Sequence, residues 1–275
     1  FPMAFLSVDQ LCDRIVRLRL AEPEVIHGIR AQLTTHSTDV LFDLMLKQQV
    51  LTDLQIERLK SGDTDGLVLG NCKLMYRVAS GSFARFYRCE EIGSRRQLGI
   101  KVLRDRWSND KDFVNLFRRE GELGRRLQHP NIVPIYEIGN EGKFHYLIME
   151  FVEGGNLRDF MKIRKKLVPL ETVRFGLDIV RGLEYALRQG ITHRDLKMTN
   201  VLMSSQGVAK LVDFGLAGVA EDQRDDGESA QRALEYATLE KNTGAPRNDP
   251  RSDMYFLGAI YYELLTGVPP LPRTN

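Results

Sequence analysis

The sequence has few cysteines, and its charges nearly balance. Its 275 residues include three cysteines, Cys12, Cys72 and Cys89, whose scattered positions fit neither a disulfide framework nor the spacing of metal ligands. A reducing cytoplasm is therefore the simplest compartment. A formal net charge of +2 gives no reason to expect a nucleic-acid partner. With 43% hydrophobic residues the chain can still bury a substantial core.

Long apolar runs are also absent, and no secretory signal peptide is visible. The segment that opens at residues 251–258 is apolar on nearly every face, which predicts a buried central helix. It offers about a dozen apolar-rich residues interrupted by Glu263, whereas a bilayer-spanning helix needs about 20. We therefore expect no membrane segment in this chain. Because it opens with Phe1 and stops at Asn275, we expect a fragment of a longer protein whose missing part has room for a membrane anchor or a sensor domain.

The most informative polar residues lie between positions 193 and 213. Asp195 can accept a proton from a hydroxyl, and Lys197 can neutralise a transferring phosphoryl group. Asn200 and Asp213 offer the oxygen ligands that suit Mg²⁺. Each residue alone more often marks a turn or a helix cap, but their combination and spacing point to phosphoryl transfer.

This pattern, His-Arg-Asp-Leu-Lys-Met-Thr-Asn from residue 193 and Asp-Phe-Gly from residue 213, resembles the signature of the protein kinase family. The resemblance runs from about Tyr76 to Pro270, with the motifs in the family's order. Short strands predicted at residues 201–203 and 208–212 would set the two motif loops side by side.

The resemblance implies roles for residues earlier in the chain. Lys101 matches the third-strand lysine that contacts the α and β phosphates of ATP, and Glu120 matches its partner on the following helix. Met149 matches the gatekeeper beside the adenine, whose edge would meet backbone groups of Glu150 and Val152.

The implied fold is α+β and two-lobed. We expect a small N-lobe, with a five-stranded antiparallel sheet and one helix, to about residue 151, and a mainly helical C-lobe from about residue 152. Together they would form a kinase-like domain at residues 76–275 that is incomplete at its C-terminus and holds Mg²⁺ and ATP in its cleft. Asp253 resembles the family's buried aspartate that binds the backbone of the catalytic loop.

Residues 1–61 are predicted to form a small helical module. Two capping boxes, which begin at Ser7 and Thr52, indicate helix starts. The polar, glycine-containing run that follows predicts a linker, so we place the linker and the entry to the first strand at residues 62–75. This layout is similar to some bacterial Ser/Thr kinases and implies a docking or regulatory module with a partner of its own.

One later helix is predicted from periodicity. Apolar residues recur at three- and four-residue intervals and end at Gly190, which describes an amphipathic helix that would support the catalytic loop. These residues are Leu170, Val173, Leu177, Val180, Leu183 and Leu187.

The phosphate-binding loop departs from the family. Where the family has G-x-G-x-x-G-x-V, this chain keeps only Gly81, and Ala79 and Ala84 replace the other glycines. A methyl group at a positive-φ position costs about 1–2 kcal/mol. Phe86 replaces the valine that roofs the adenine, and Gly99 replaces the alanine two residues before the lysine. The added volume at Phe86 is therefore expected to be partly offset at Gly99.

The activation segment also departs from the family. Tyr-Ala-Thr-Leu-Glu at residues 236–240 stands where the family has an Ala-Pro-Glu ending, and Ala233 replaces a threonine. Ser229 lies in an acidic stretch, and Arg194 would pair with a phosphate there, which predicts regulation by phosphorylation.

Three functions are consistent with these residues. The first is a Ser/Thr protein kinase that uses Mg-ATP on a protein substrate, since Lys197 resembles Ser/Thr rather than Tyr kinases. The second is a pseudokinase that acts as a nucleotide-binding or scaffolding module, as the altered loops suggest. The third, a small-molecule phosphotransferase, is disfavoured by Lys197, the intact Asp-Phe-Gly and the long activation segment.

Overall fold

The computed structural model describes residues 6–214 and 249–270. The chain divides into two compact units at residues 109/110, 138/139 and 151/152. The first unit contains the N-terminal segment and residues 139–151, and the second unit contains residues 110–138 and the segment from Val152 onward.

Four helices open the first unit. They are α1 (Val8–Arg17), α2 (Pro23–Ala31), α3 (Thr38–Lys47) and α4 (Asp53–Ser61). The two predicted capping boxes are confirmed, since Ser7 caps α1 with Gln10 and Thr52 caps α4 with Gln55. The apolar faces of the four helices share a core that extends to Leu67, directly before the first strand.

A six-stranded sheet follows the helices. Its strands are β1 (Val68–Leu69), β2 (Cys72–Ser80), β3 (Ala84–Glu91), β4 (Gln97–Leu103), β5 (Ile135–Glu141) and β6 (Phe144–Glu150), in the order β1-β2-β3-β4-β6-β5. The sheet has one strand more than the expected five, because the two-residue β1 pairs antiparallel with the start of β2. Strand β2 begins at Cys72, four residues before the expected start of the kinase-like domain.

Residues at the start of helix α4 donate hydrogen bonds to backbone carbonyl groups of β2, just beyond the residues that pair with β1. Gln55 Nε2 donates to the Leu74 carbonyl at 2.7 Å, and Thr52 Oγ1 donates to the Met75 carbonyl at 2.6 Å. Met75 stands at a register shift in the β2–β3 ladder. Gln55 is only 1% exposed, so the Leu74 carbonyl is bonded where water has little access. The residues that cap α4 therefore also close the sheet edge.

Truncation of Gln55 tests the contribution of the hydrogen bonds between α4 and β2. Gln55→Ala removes the donor to the buried Leu74 carbonyl, so we expect the free energy of unfolding to fall by about 1–3 kcal/mol in urea titrations. Gln10→Ala is the matched control, because Gln10 occupies the same capping-box position on α1 and its bonds are exposed. An equal loss in both variants would show that the effect comes from capping alone.

The second unit is mainly helical. Its elements are α5 (Lys111–Arg126), α6 (Leu157–Arg164), α7 (Pro169–Arg188), a 3₁₀ turn (Met198–Asn200), β7 (Val201–Met203), β8 (Ala209–Leu211) and α8 (Pro250–Thr266). Strands β7 and β8 pair antiparallel, as the sequence predicts, although β8 is shorter than expected. No helix in the two described ranges is both long and apolar enough to cross a membrane.

The prediction of which face of α7 is buried was largely wrong. The helix ends near Gly190 as expected, but Leu170, Val173, Leu177 and Leu187 are at least 45% exposed. The buried face instead carries Thr172, Phe175, Gly176, Asp178, Ile179, Gly182 and Ala186. Small residues mark this face because neighbours approach closely, and a Cβ at Gly182 would lie 3.0 Å from the Asn131 carbonyl oxygen. Glycine contributes little to an apolar pattern, so periodicity favoured the wrong face.

Helix α8 also differs from the expectation of burial on nearly every face. Its buried side is formed by Phe256, Leu257, Ile260 and Leu264, together with the polar Ser252 and Asp253. Met254, Tyr255, Tyr262 and Leu265 on the other sides are at least 42% exposed. In the described part of the chain, packing therefore covers one side of this helix.

Candidate active site

The catalytic loop of the second unit is held by one buried carboxylate. Asp253, in the first turn of α8, accepts hydrogen bonds from the backbone N–H groups of His193 at 2.8 Å and Arg194 at 3.0 Å. Asp253 is 5% exposed. Arg194 has a left-handed φ of 63°, a conformation that costs a non-glycine residue about 1–3 kcal/mol and that clusters at functional sites. The two charge-assisted bonds hold the loop in this shape.

Asp195, Lys197 and Asn200 form one buried cluster. Asn200 Nδ2 donates to the carbonyl oxygen of Asp195 at 2.9 Å and to its Oδ2 at 3.0 Å. Lys197 Nζ lies 3.2 Å from the same Oδ2. The three residues are at most 8% exposed. Three of the residues selected from the sequence are thus brought within bonding distance.

Asp213 is brought beside this cluster by the backbone. The Val212 N–H donates to the Asn200 carbonyl at 3.1 Å, which joins the segment after β8 to the catalytic loop. The Phe214 ring lies 4.6 Å from the His193 ring between centroids. Asp213 itself has a left-handed φ of 62°. The predicted side-by-side placement of the two motif loops is confirmed.

Two polar residues that sequence reasoning did not assign to the site support β8. Asn131 Nδ2 donates to the Ala209 carbonyl at 3.0 Å, and Asp178 Oδ2 accepts from the Ala209 N–H at 3.1 Å. Both residues are at most 9% exposed. Sequence periodicity favoured a different face of α7, so only the structure shows that Asp178 is a buried carboxylate with a specific partner.

His193 is a buried neutral histidine at the base of the loop. Its side chain is fully buried, and this desolvation lowers the pKa of the imidazole despite the carboxylates of Asp253, Asp195 and Asp213, which act in the opposite direction. The ring Nδ1 accepts the backbone N–H of Asp195 at 3.3 Å, which requires an unprotonated nitrogen.

The lowered pKa of His193 predicts a pH dependence of stability. Below about pH 6.5 the unfolded chain binds a proton that the folded chain does not, so the free energy of unfolding falls as pH falls, by up to about 1.4 kcal/mol per pH unit. His193→Asn keeps an acceptor near the Asp195 N–H and removes the titration. Urea unfolding between pH 5 and 7.5 should therefore show a shallower slope in this variant. His27→Asn, on the exposed surface of α2, should keep the original slope.

Lys101 and Glu120 lie in different units. Lys101 is in β4, where it pairs with Phe86 of β3 and Leu147 of β6. Glu120 is on α5 and is 4% exposed. Their pairing stays a prediction.

Phe86 and Gly99 are complementary in shape. A Cβ built at Gly99 would lie 2.6 Å from Cζ and 2.9 Å from Cε2 of Phe86, and 3.4 Å from the Glu150 carbonyl oxygen. The Phe86 ring stacks at 6.4 Å on Phe151, which follows β6. Gly99 pairs with Met149, the expected gatekeeper, which is 7% exposed. The absence of a side chain at Gly99 therefore makes room for the larger ring, as the sequence predicts.

The two alanines at the family's glycine positions carry no positive-φ strain. Ala79 lies in β2 opposite Phe86, and Ala84 begins β3 opposite Leu103. Neither residue has a positive φ. The cost of about 1–2 kcal/mol for a methyl group at a positive-φ position therefore does not apply to Ala79 or Ala84.

A double-mutant cycle tests the complementarity. Gly99→Ala places a methyl group 2.6 Å from Phe86 Cζ, which is too close for two carbon atoms, so we expect a loss of about 1–3 kcal/mol in the free energy of unfolding. Phe86→Val in the same chain should recover most of that loss, which gives a coupling energy well above about 0.5 kcal/mol. Gly28→Ala is the control, because a Cβ there meets nothing within 4 Å. Additive losses would contradict the complementarity.

Several expected positions lie outside the described residues. They are Gly215 of the Asp-Phe-Gly motif, Ser229, Ala233 and the segment at 236–240. The Arg194 end of the expected regulatory pair is described, and the Ser229 end is not.

Comparison with known proteins identifies the family. The family model described as "Protein kinase domain" matches residues 73–275. The chain belongs to the protein kinase family. Among curated kinases it is 34% identical to the serine/threonine-protein kinase PrkC of Bacillus subtilis, over 73% of this chain and 31% of PrkC. It is 35% identical to the serine/threonine-protein kinase PknL of Mycobacterium tuberculosis, over 70% of this chain and 49% of PknL. The match thus spans at most half of either kinase's length.

Proposed function

We propose that this chain is a serine/threonine protein kinase that transfers the γ-phosphoryl group of Mg-ATP to a hydroxyl group of a protein substrate. The observation that carries the proposal is the buried cluster of Asp195, Lys197 and Asn200, with its hydrogen bonds and ion pair at 2.9–3.2 Å. The names of PrkC and PknL, both serine/threonine-protein kinases, support the same activity.

Asp195 is proposed to receive the proton of the substrate hydroxyl. Its carboxylate is oriented by Asn200 Nδ2 and neighboured by the Lys197 ammonium. The cation is placed to neutralise charge on a phosphoryl group nearby. A substrate hydroxyl must approach within about 3 Å of the carboxylate for this transfer.

Asn200 and Asp213 fit a magnesium site. Because Asn200 Nδ2 donates to Asp195, the atom of this side chain that remains able to ligate a cation is its carbonyl oxygen. Asp213 contributes a carboxylate from the segment that the Val212 N–H joins to Asn200. These are the hard oxygen ligands that Mg²⁺ prefers, and the ion when bound would neutralise phosphate charge.

The nucleotide is proposed to bind the residues that match the family's ATP-binding positions. Lys101 would contact its phosphates, Gly81 would cover them, and Phe86 with Gly99 would contact the adenine face. The gatekeeper Met149 and the backbone groups of Glu150 and Val152 would meet the adenine edge. Glu120 would orient Lys101.

A nucleotide-binding pseudokinase is the second candidate. It is favoured by the Phe86 ring, which fills the space above Gly99 where the family has a smaller valine and would contact the adenine. This function predicts nucleotide binding without phosphoryl transfer.

Asp195→Asn separates the two candidates. The variant loses the proton acceptor, so phosphoryl transfer to a generic protein substrate should fall by about 10²–10⁴, while calorimetric affinity for Mg-ATP changes little. Asp159→Asn on the exposed surface of α6 is the control and should retain full transfer. Transfer that is absent from the unmodified protein would favour the pseudokinase, and transfer unchanged in Asp195→Asn would contradict the assigned role.

A further inference from the structure

The turn between β2 and β3 is bonded to the segment that follows β4. Arg104 Nη1 donates to the Gly81 carbonyl at 3.0 Å, and the Arg104 N–H donates to the Phe83 carbonyl at 3.1 Å. Arg106 Nη2 and Trp107 Nε1 both donate to the Ser82 carbonyl, at 2.6 and 3.1 Å. Three consecutive carbonyl groups of the turn are thus bonded to residues 104–107, which we name the tether segment.

The orientation of these carbonyls fixes the direction of the amides that follow them. The peptide bonds are trans, so the N–H of each peptide plane points opposite to its C=O. Because the Gly81 and Ser82 carbonyls point toward the tether segment, the N–H groups of Ser82 and Phe83 point away from it. Consecutive N–H groups that share a direction are the elements of backbone sites for anions.

The tether segment is itself pre-organised. The Arg106 guanidinium lies over the Trp107 ring at 4.9 Å from its centroid. The backbone N–H of Trp107 donates to the Arg104 carbonyl at 2.8 Å. The planar guanidinium and indole donors lose less conformational freedom per bond than a flexible ammonium would. The turn is therefore bonded to a compact structure.

We propose that Arg104, Arg106 and Trp107 are positioning residues that orient the Ser82 and Phe83 amides toward the phosphates of the nucleotide. The proposal rests on the proposed function, since it deepens the role of the same loop. Ala79 and Ala84 occupy two glycine positions of the family pattern, and the tether segment supplies the loop with a defined conformation in their presence.

The test compares ligands with and without phosphate. Calorimetric titrations with Mg-ATP and with adenosine are performed on the unmodified protein, on Trp107→Phe and on the double variant Arg104→Gln, Arg106→Gln. Trp107→Phe removes one neutral donor and should weaken Mg-ATP binding about two- to fivefold, and the double variant should weaken it about tenfold or more. Adenosine affinity should stay unchanged in both.

Two controls separate orientation from charge and from global unfolding. Arg77→Gln removes an exposed positive charge from β2, the strand that leads into the turn, and should leave both affinities near those of the unmodified protein. Backbone ¹⁵N order parameters of the Ser82 and Phe83 amides, measured without nucleotide, should fall in the double variant, while those in β4 stay high.

Each other result has a definite meaning. Equal losses for adenosine and Mg-ATP, or a loss in Arg77→Gln as large as in the double variant, would overturn the orienting role. Unchanged order parameters at Ser82 and Phe83 would overturn the orienting role of the tether segment, whatever the nucleotide affinities show. Failure of the unmodified protein to bind either ligand would overturn the proposed function and the phosphate role together.

Discussion

The buried Asp253 carboxylate accepts hydrogen bonds from two backbone N–H groups. The candidate site depends on this interaction. It stabilises the loop at His193 and Arg194, including the left-handed backbone of Arg194. The chain then continues directly into Asp195, whose carboxylate meets Lys197 and Asn200. A carboxylate that bonds two amides in a buried place stabilises one loop geometry strongly, because breaking either bond would leave a buried charge with fewer partners.

The helices at the N-terminus and the sheet behave as one structure in the first unit. The core of the four helices reaches Leu67, directly before β1, and α4 donates two side-chain hydrogen bonds to β2. Residues 62–75, where we expected a linker and the entry to the first strand, contain β1 and the start of β2. Because the donors Thr52 and Gln55 also cap α4, the end of one element and the edge of the next are stabilised by the same side chains.

The departures from the family pattern are accompanied by structural compensation. Gly99 leaves space for the Phe86 ring, and Ala79 and Ala84 adopt strand backbone without positive φ. The carbonyls of Gly81 and Ser82 are bonded to the tether segment. Substitutions at the family's glycine positions are thus accompanied by contacts that define the conformation of the loop.

The sequence by itself determined the fold class, both capping boxes, the paired strands β7 and β8, and the polar residues 195, 197 and 200 that meet in the site. These features depend on local spacing or on residue types that phosphoryl transfer requires. Tertiary structure alone decided which face of α7 is buried, how α4 bonds to β2, and which residues hold the turn before β3. The reason is physical: close packing at glycines such as Gly182, and hydrogen bonds to backbone carbonyls, depend on neighbours distant in sequence and leave no periodic pattern of side chains.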